Sequence, residues 1–110
     1  MGKFAVGQVV TSTFPFSDLS SQKQRPALVI AIAEFDDIIL CQITSKPYSS
    51  IKSIQLLDDH FLNGGLPVDS YIRPDKLFTV DTSIINKIYG TITTEKLSEV
   101  LTILRSLFSP

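Results

Sequence analysis

Two arginines in this chain stand immediately before proline, in Arg25-Pro26 and in Arg73-Pro74. A residue before proline is pushed out of the helical region into extended geometry. Each guanidinium therefore hangs from a backbone with little freedom. Its rigid, planar fork of N–H donors suits the oxygens of an anion. Arg25 has a plainer reading as a cation that merely ends a strand, and the residues around it leave both readings open. Asp75 follows Arg73 at a spacing of two. It could take a proton from a substrate or simply hold Arg73, and holding is the favoured role. Lys23, Lys46 and Lys76 lie close to these positions in sequence. They could meet an anionic ligand or be ordinary surface lysines. The one histidine, His60, sits beside Asp58 and Asp59. Metal ligation there would need partners that the chain lacks, so a surface turn is expected.

The elements that must position these groups are mostly strands. From residue 27 to residue 33 every side chain is apolar. A run of that length, rich in branched residues, reads as a strand buried on both faces. Pro26 cannot donate to a sheet ladder and is expected at the strand's first position, which leaves Arg25 one step outside the core. Residues 38–44 form a second buried strand ending at Thr44, paired with the first as an antiparallel hairpin across a turn at 34–37. Residues 8–14 form an earlier strand. Between it and Arg25 lies a polar loop holding Phe16, Ser17, Gln22 and Lys23. Phe16 could stack on a base or plug the core. A second polar loop follows Thr44 and begins with Ser45 and Lys46. Further on, a half-exposed strand is expected over 51–57. One helical turn is expected near 58–63, stopped by Gly64 and Gly65. A strand follows over 75–81, and residues 84–91 form a last short strand or bent pair with Gly90 at a kink. Leu97, Val100, Leu101, Leu104, Leu107 and Phe108 recur at spacings of three and four, one stripe on a terminal helix. Thr93 or Thr94 can cap that helix. Five to seven short strands and one helix predict a mainly β domain with a C-terminal helix, bent into a small, largely antiparallel barrel.

The 110 residues are the size of a single domain, and 44% apolar residues suffice for one core. Ten Lys and Arg against eleven Asp and Glu leave a net charge of −1. That balance argues against holding nucleic acid by bulk charge, though a local basic groove needs only the right distribution. The single cysteine, Cys41, cannot form an internal disulfide and is expected as a buried thiol. The apolar patch near the start is too short for a signal peptide, and no apolar stretch has the length of a membrane span. A cytoplasmic, single-domain protein with no membrane segment is the expectation.

Taken in order, Gly7-Gln8-Val9-Val10, Phe14-Pro15-Phe16, Arg25-Pro26-Ala27-Leu28-Val29, Ile43-Thr44-Ser45, the segment from Arg73-Pro74-Asp75 to Asp81, Gly90 and the closing helix resemble the MazF/PemK family. These are toxins of type II toxin–antitoxin modules. The resemblance covers nearly the whole chain. It implies a small SH3-like barrel of the plasmid-maintenance toxin type, a homodimer, and a sequence-selective endoribonuclease that cuts single-stranded RNA without a metal or other cofactor. It also implies a cognate antitoxin of the MazE/PemI kind. Carried over by position, Arg25 and Thr44 match the pair used around the scissile phosphate. Arg73 and Asp75 match a further pair used for binding or catalysis in parts of the family. Phe16, Ser17, Gln22, Lys23, Ser45, Lys46 and Lys76 flank the implied groove and are expected to bind substrate.

One departure stands out. Many members carry a glutamate, and some a histidine, in the first loop; here the equivalent stretch is Asp18-Leu19-Ser20-Ser21-Gln22. This removes an acid–base candidate and points to a different cleavage sequence. Cleavage without a metal uses the neighbouring 2′-hydroxyl as nucleophile and needs positive charge for the developing phosphorane. Arginine is a poor proton donor because its pKa lies above about 12, so stabilising charge is the expected role of Arg25. Thr44 could orient the 2′-hydroxyl or donate to a phosphate oxygen. Two alternatives compete: a non-catalytic CcdB-like toxin that binds DNA gyrase, and a family member that has lost nuclease activity.

Overall fold

The computed structural model describes residues 4–13, 24–46 and 53–110. The first-loop residues Phe16, Ser17, Gln22 and Lys23 therefore lie outside the described residues. Seven strands are present among the described residues: β1 Gln8–Thr13, β2 Gln24–Ile32, β3 Asp37–Thr44, β4 Ile54–Leu56, β5 Phe61–Gly64, β6 Ser70–Asp81 and β7 Ile85–Ile92. The α-helix α1 Thr94–Leu107 follows the last strand. The strands form one antiparallel sheet in the order β4-β6-β3-β2-β1-β7-β5. The expected barrel is thus a curled half-barrel whose edges are β4 and β5.

The apolar run after Pro26 becomes the middle of this sheet because it has a core on each side. On one face Val9, Leu28, Cys41, Ile43 and Ile72 pack with Val100 and Leu104 of α1. On the other, Val10, Ala27, Val29, Ile38 and Leu40 cluster with Phe4, Phe78, Val80 and Ile85. Leu28 and Leu40 are fully buried, each contributing roughly 1.5–3 kcal/mol by leaving water. The helix lies over the first face. Thr93 is its N-cap, accepting from the Lys96 N–H at 3.1 Å. Lys96 is itself buried in the first turn and reaches Glu99 at 2.9 Å. Leu97, Leu101 and Leu107 pack on the core as their spacing predicts, whereas Phe108 is 71% exposed because the helix ends before it.

Several expectations change in detail. β2 starts at Gln24, so Pro26 is its third residue and not its first. The ladder with β3 begins at Ala27, just past the proline. Pro26 therefore removes no donor from that side. The expected helical turn near 58–63 is a three-residue 3₁₀ turn, Asp58–His60, that passes directly into β5. His60 is half-buried there and not a free surface residue. Its Nδ1 accepts from the Leu57 N–H at 2.9 Å, and its carbonyl accepts from the Thr93 N–H at 2.8 Å. Gly64 does not stop a helix; it faces Gly90 of β7 across the ladder. β7 bulges at Tyr89, the residue before Gly90, where its register with β1 slips.

Candidate functional site

The start of β2 and the end of β3 meet at one end of the hairpin. The pairs Ala27–Gln42, Leu28–Cys41 and Val29–Leu40 define its register. Carrying that register back along β2 sets Arg25 beside Thr44. The neighbouring ladders extend the row, because Ser12 of β1 pairs with Arg25 and Tyr71 of β6 pairs with Thr44. Ser12 with Arg25 and Thr44 with Tyr71 are thus two cross-strand pairs that the extended β2–β3 register lines up across four adjacent strands. Strand alternation puts their side chains on one face.

Local bonds hold the row in place. Thr11 Oγ1 donates to the Arg25 carbonyl at 3.4 Å. The Thr44 hydroxyl accepts from the Lys46 N–H at 3.1 Å, which turns the chain as it leaves β3 and leaves the hydroxyl proton available to donate. Beside the row opens a cavity of about 260 Å³. Its lining includes Arg25, Pro26, Ile43, Thr44, Ser45 and Lys46 from β2, β3 and the turn after β3, together with residues 66–68, Ser70 and Tyr89. The lining thus combines two cationic side chains, Arg25 and Lys46, with an apolar set that includes Leu66, Pro67 and Val68. Tyr89 carries Lys87 Nζ 4.9 Å from its ring centre, a cation held over the aromatic face.

Arg73 and Asp75 are arranged differently. In the β3–β6 ladder Ile43 pairs with Ile72 and Cys41 with Leu77. Gln42 alone therefore spans the stretch holding Arg73, Pro74, Asp75 and Lys76, a wide bulge in β6. Within it Arg73 makes a two-toothed contact with Asp75, Nε to Oδ1 at 3.3 Å and Nη2 to Oδ2 at 2.8 Å. The hydrogen bonds from Arg73 hold the Asp75 carboxyl below the ordinary carboxylate range, with the arginine's charge adding to the effect. A carboxylate so held is a weak base. Beneath the bulge, Cys41 Sγ donates to the Arg73 carbonyl at 2.9 Å. Burial, and secondarily the Asp75 charge, push the Cys41 thiol up to about 12. It is the buried, protonated thiol expected from the sequence.

Of the expected site residues, Arg25, Thr44, Ser45 and Lys46 thus gather at one cavity. Arg73, Asp75 and Lys76 share the bulge and are not part of its lining. Ser12, Gln42 and Tyr71 belong to the same face and were not marked by sequence pattern. Their positions depend on ladder register, which residue order does not display. Among the described residues no group of three His, Cys, Asp or Glu side chains is gathered to hold a metal ion, and no helix is long and apolar enough to cross a membrane.

A family model described as "PemK-like, MazF-like toxin of type II toxin-antitoxin system" matches residues 5–108. The chain belongs to this family. As a PemK/MazF-like toxin it also finds its fold among solved structures. An endoribonuclease from a mycobacterial species matches with TM-score 0.74 at 14% identity, over 99% of this chain and 94% of that one. Another mycobacterial endoribonuclease, in complex with its cognate antitoxin, matches with TM-score 0.77 at 14% identity, over 96% and 95%. MazF from Deinococcus radiodurans matches with TM-score 0.76 at 20% identity, over 97% of each chain. At such identities the likeness shows the fold. No curated protein matches by sequence.

Proposed function

We propose that this PemK/MazF-like toxin is an endoribonuclease whose cutting site is the cavity mouth at Arg25 and Thr44. The observation that carries the reading is that those two residues, distant in sequence, line one cavity together with Lys46. Arg25 faces the scissile phosphate and stabilises the charge that grows on its non-bridging oxygens. Thr44, its oxygen already engaged by the Lys46 N–H, donates a hydrogen bond to a phosphate oxygen of the substrate and keeps its proton. The ribose 2′-oxygen attacks phosphorus, the bond to the 5′-oxygen breaks, and the 2′-hydroxyl proton ends on that leaving oxygen. The products are a 2′,3′-cyclic phosphate and a 5′-hydroxyl. Lys46 meets a flanking phosphate, and the apolar wall with Tyr89 receives a base. Asp75 holds Arg73, which binds the RNA backbone from the β6 bulge with Lys76 beside it. The first-loop residues Phe16, Ser17, Gln22 and Lys23 complete the substrate groove in this reading.

The same reading makes the active form a cytoplasmic homodimer restrained by a cognate antitoxin. The matched structures of antitoxin complexes support the latter. The test is to incubate purified protein with a long single-stranded RNA in EDTA and map the new ends. New 5′-hydroxyl ends opposite cyclic phosphates at a recurring sequence are expected. Intact RNA would refute the assignment and favour a toxin that acts by binding alone.

A further inference from the structure

We propose that Ser12 and Gln42 are positioning residues for Arg25, which turns its outer N–H donors onto them when a phosphate docks. The proposal rests on reading Arg25 as the phosphate-facing cation. Among the described residues, only two buried side-chain oxygens have no hydrogen-bond partner: Ser12 Oγ and Gln42 Oε1. Ser12 is 0% exposed and Gln42 7%. Buried polar groups are nearly always paired, and an orphan acceptor costs stability that an apolar side chain of the same shape would not. Both oxygens flank the same residue. Ser12 is directly across from Arg25 in the β1–β2 ladder. Gln42 is across from Ala27, the next residue on the Arg25 face of β2, and so diagonal to Arg25. Directly opposed Cβ atoms in a sheet lie about 4.5–5.5 Å apart, and diagonal ones stay within reach of long side chains.

The chemistry suits that placement. A guanidinium has five N–H donors, and a phosphate engages two of them in a forked contact. The remaining donors need acceptors if the fork is to stay aimed. A hydroxyl and a carboxamide oxygen can accept them without carrying charge, so this bracing adds no anion beside the guanidinium. A bracing pair of neutral oxygens, unengaged before substrate arrives, is what a cation needs when it must meet a transient anion.

The test uses Ser12→Ala and Gln42→Met in the full chain, assayed on an oligoribonucleotide carrying the end-mapped cleavage site. Each substitution is expected to lower kcat by about 10- to 100-fold, with KM within about twofold of wild type and an unchanged or raised melting temperature. In an Arg25→Ala background neither should reduce the rate further, because the residue they position is gone. A second readout works for inactive variants. Bound to an oligonucleotide with 2′-deoxyribose at the cleaved position, wild type should show slowed hydrogen exchange at the Arg25 Nη–H groups, and Gln42→Met should not. Equal fractional losses with and without Arg25, a kcat unchanged by either substitution, or equal exchange in wild type and Gln42→Met would overturn the proposal. If wild type leaves RNA intact, or Arg25→Ala cuts at the wild-type rate, the underlying reading of the site fails instead.

Discussion

Replacing Gly90 by alanine tests the packing that brings the apolar wall of the cavity to its cationic mouth. Gly90 of β7 faces Gly64 of β5, and a Cβ built on Gly90 would lie 2.2 Å from the Asn63 carbonyl oxygen and 3.0 Å from the Gly64 Cα. Both obstacles are backbone, so no side chain can swing aside. The edge strand must move out by about an ångström to restore ordinary contact, which for a packed core costs about 1–3 kcal/mol. That shift also strains the bond from the Gly65 N–H to the Tyr89 carbonyl, 3.1 Å long, worth about 1 kcal/mol. The sum is about 2–4 kcal/mol of destabilisation, or roughly 8–16 °C in melting temperature for a domain of this size. The sign is the sharper part. In an uncrowded strand, glycine to alanine stabilises by about 0.4–1 kcal/mol through the unfolded chain. Thermal melts of wild type and Gly90→Ala at matched protein concentration decide between the two. Residues 66–68 and Tyr89 flank this contact and line the cavity, so RNA cleavage should fall as well. A melting temperature equal to or above wild type would refute the crowding and, with it, the account of how that wall is held.

Further predictions concern the β6 bulge. The Cys41 thiol, with a pKa of about 12, should resist iodoacetamide at pH 8 in the native protein and react at the rate of unfolding; rapid native labelling would contradict its burial. Its raised pKa also means that stability falls as pH climbs above the ordinary thiol value of 9.0 toward 12, because the unfolded chain loses that proton first. The Asp75 carboxyl is held down by Arg73, so its NMR titration should lie below the ordinary value near about 3.9 and move up in Arg73→Ala. What the pair contributes is present above that ordinary value and is lost as pH falls through the lower folded one. An unmoved midpoint in Arg73→Ala would show that the pairing does not persist in solution.

Much of this architecture is legible in residue order. The apolar run after Pro26 and its partner ending at Thr44 are too short and too branched for helices. Their hairpin follows from adjacency, and the 3–4 spacing after Thr93 leaves little choice but a helix over a sheet. The two Arg-Pro pairs mark extended backbone for the same local reason. What residue order does not display depends on register and close approach. Gly64 and Gly90 read as a helix stop and a kink, whereas each is glycine because the other strand's backbone occupies the place of its Cβ. His60 looked like a surface turn because its partners, the Leu57 N–H and the Thr93 N–H, come from a local turn and a strand–helix junction that the sequence does not announce. The alignment of Ser12, Arg25, Thr44 and Tyr71 spans four strands. The bulge that lets Gln42 face several residues of β6 shifts every later pair, and no periodicity encodes it.

The measurement closest to the central claim is the single-turnover cleavage rate of Arg25→Ala beside wild type on RNA carrying the mapped site. Loss of the cation at the cavity mouth should slow cleavage by about 10²–10³-fold or more, with the fold intact by circular dichroism and the same cleavage site in whatever product remains. Cleavage by a folded Arg25→Ala protein at the wild-type rate would contradict the assignment of this cavity as the cutting site.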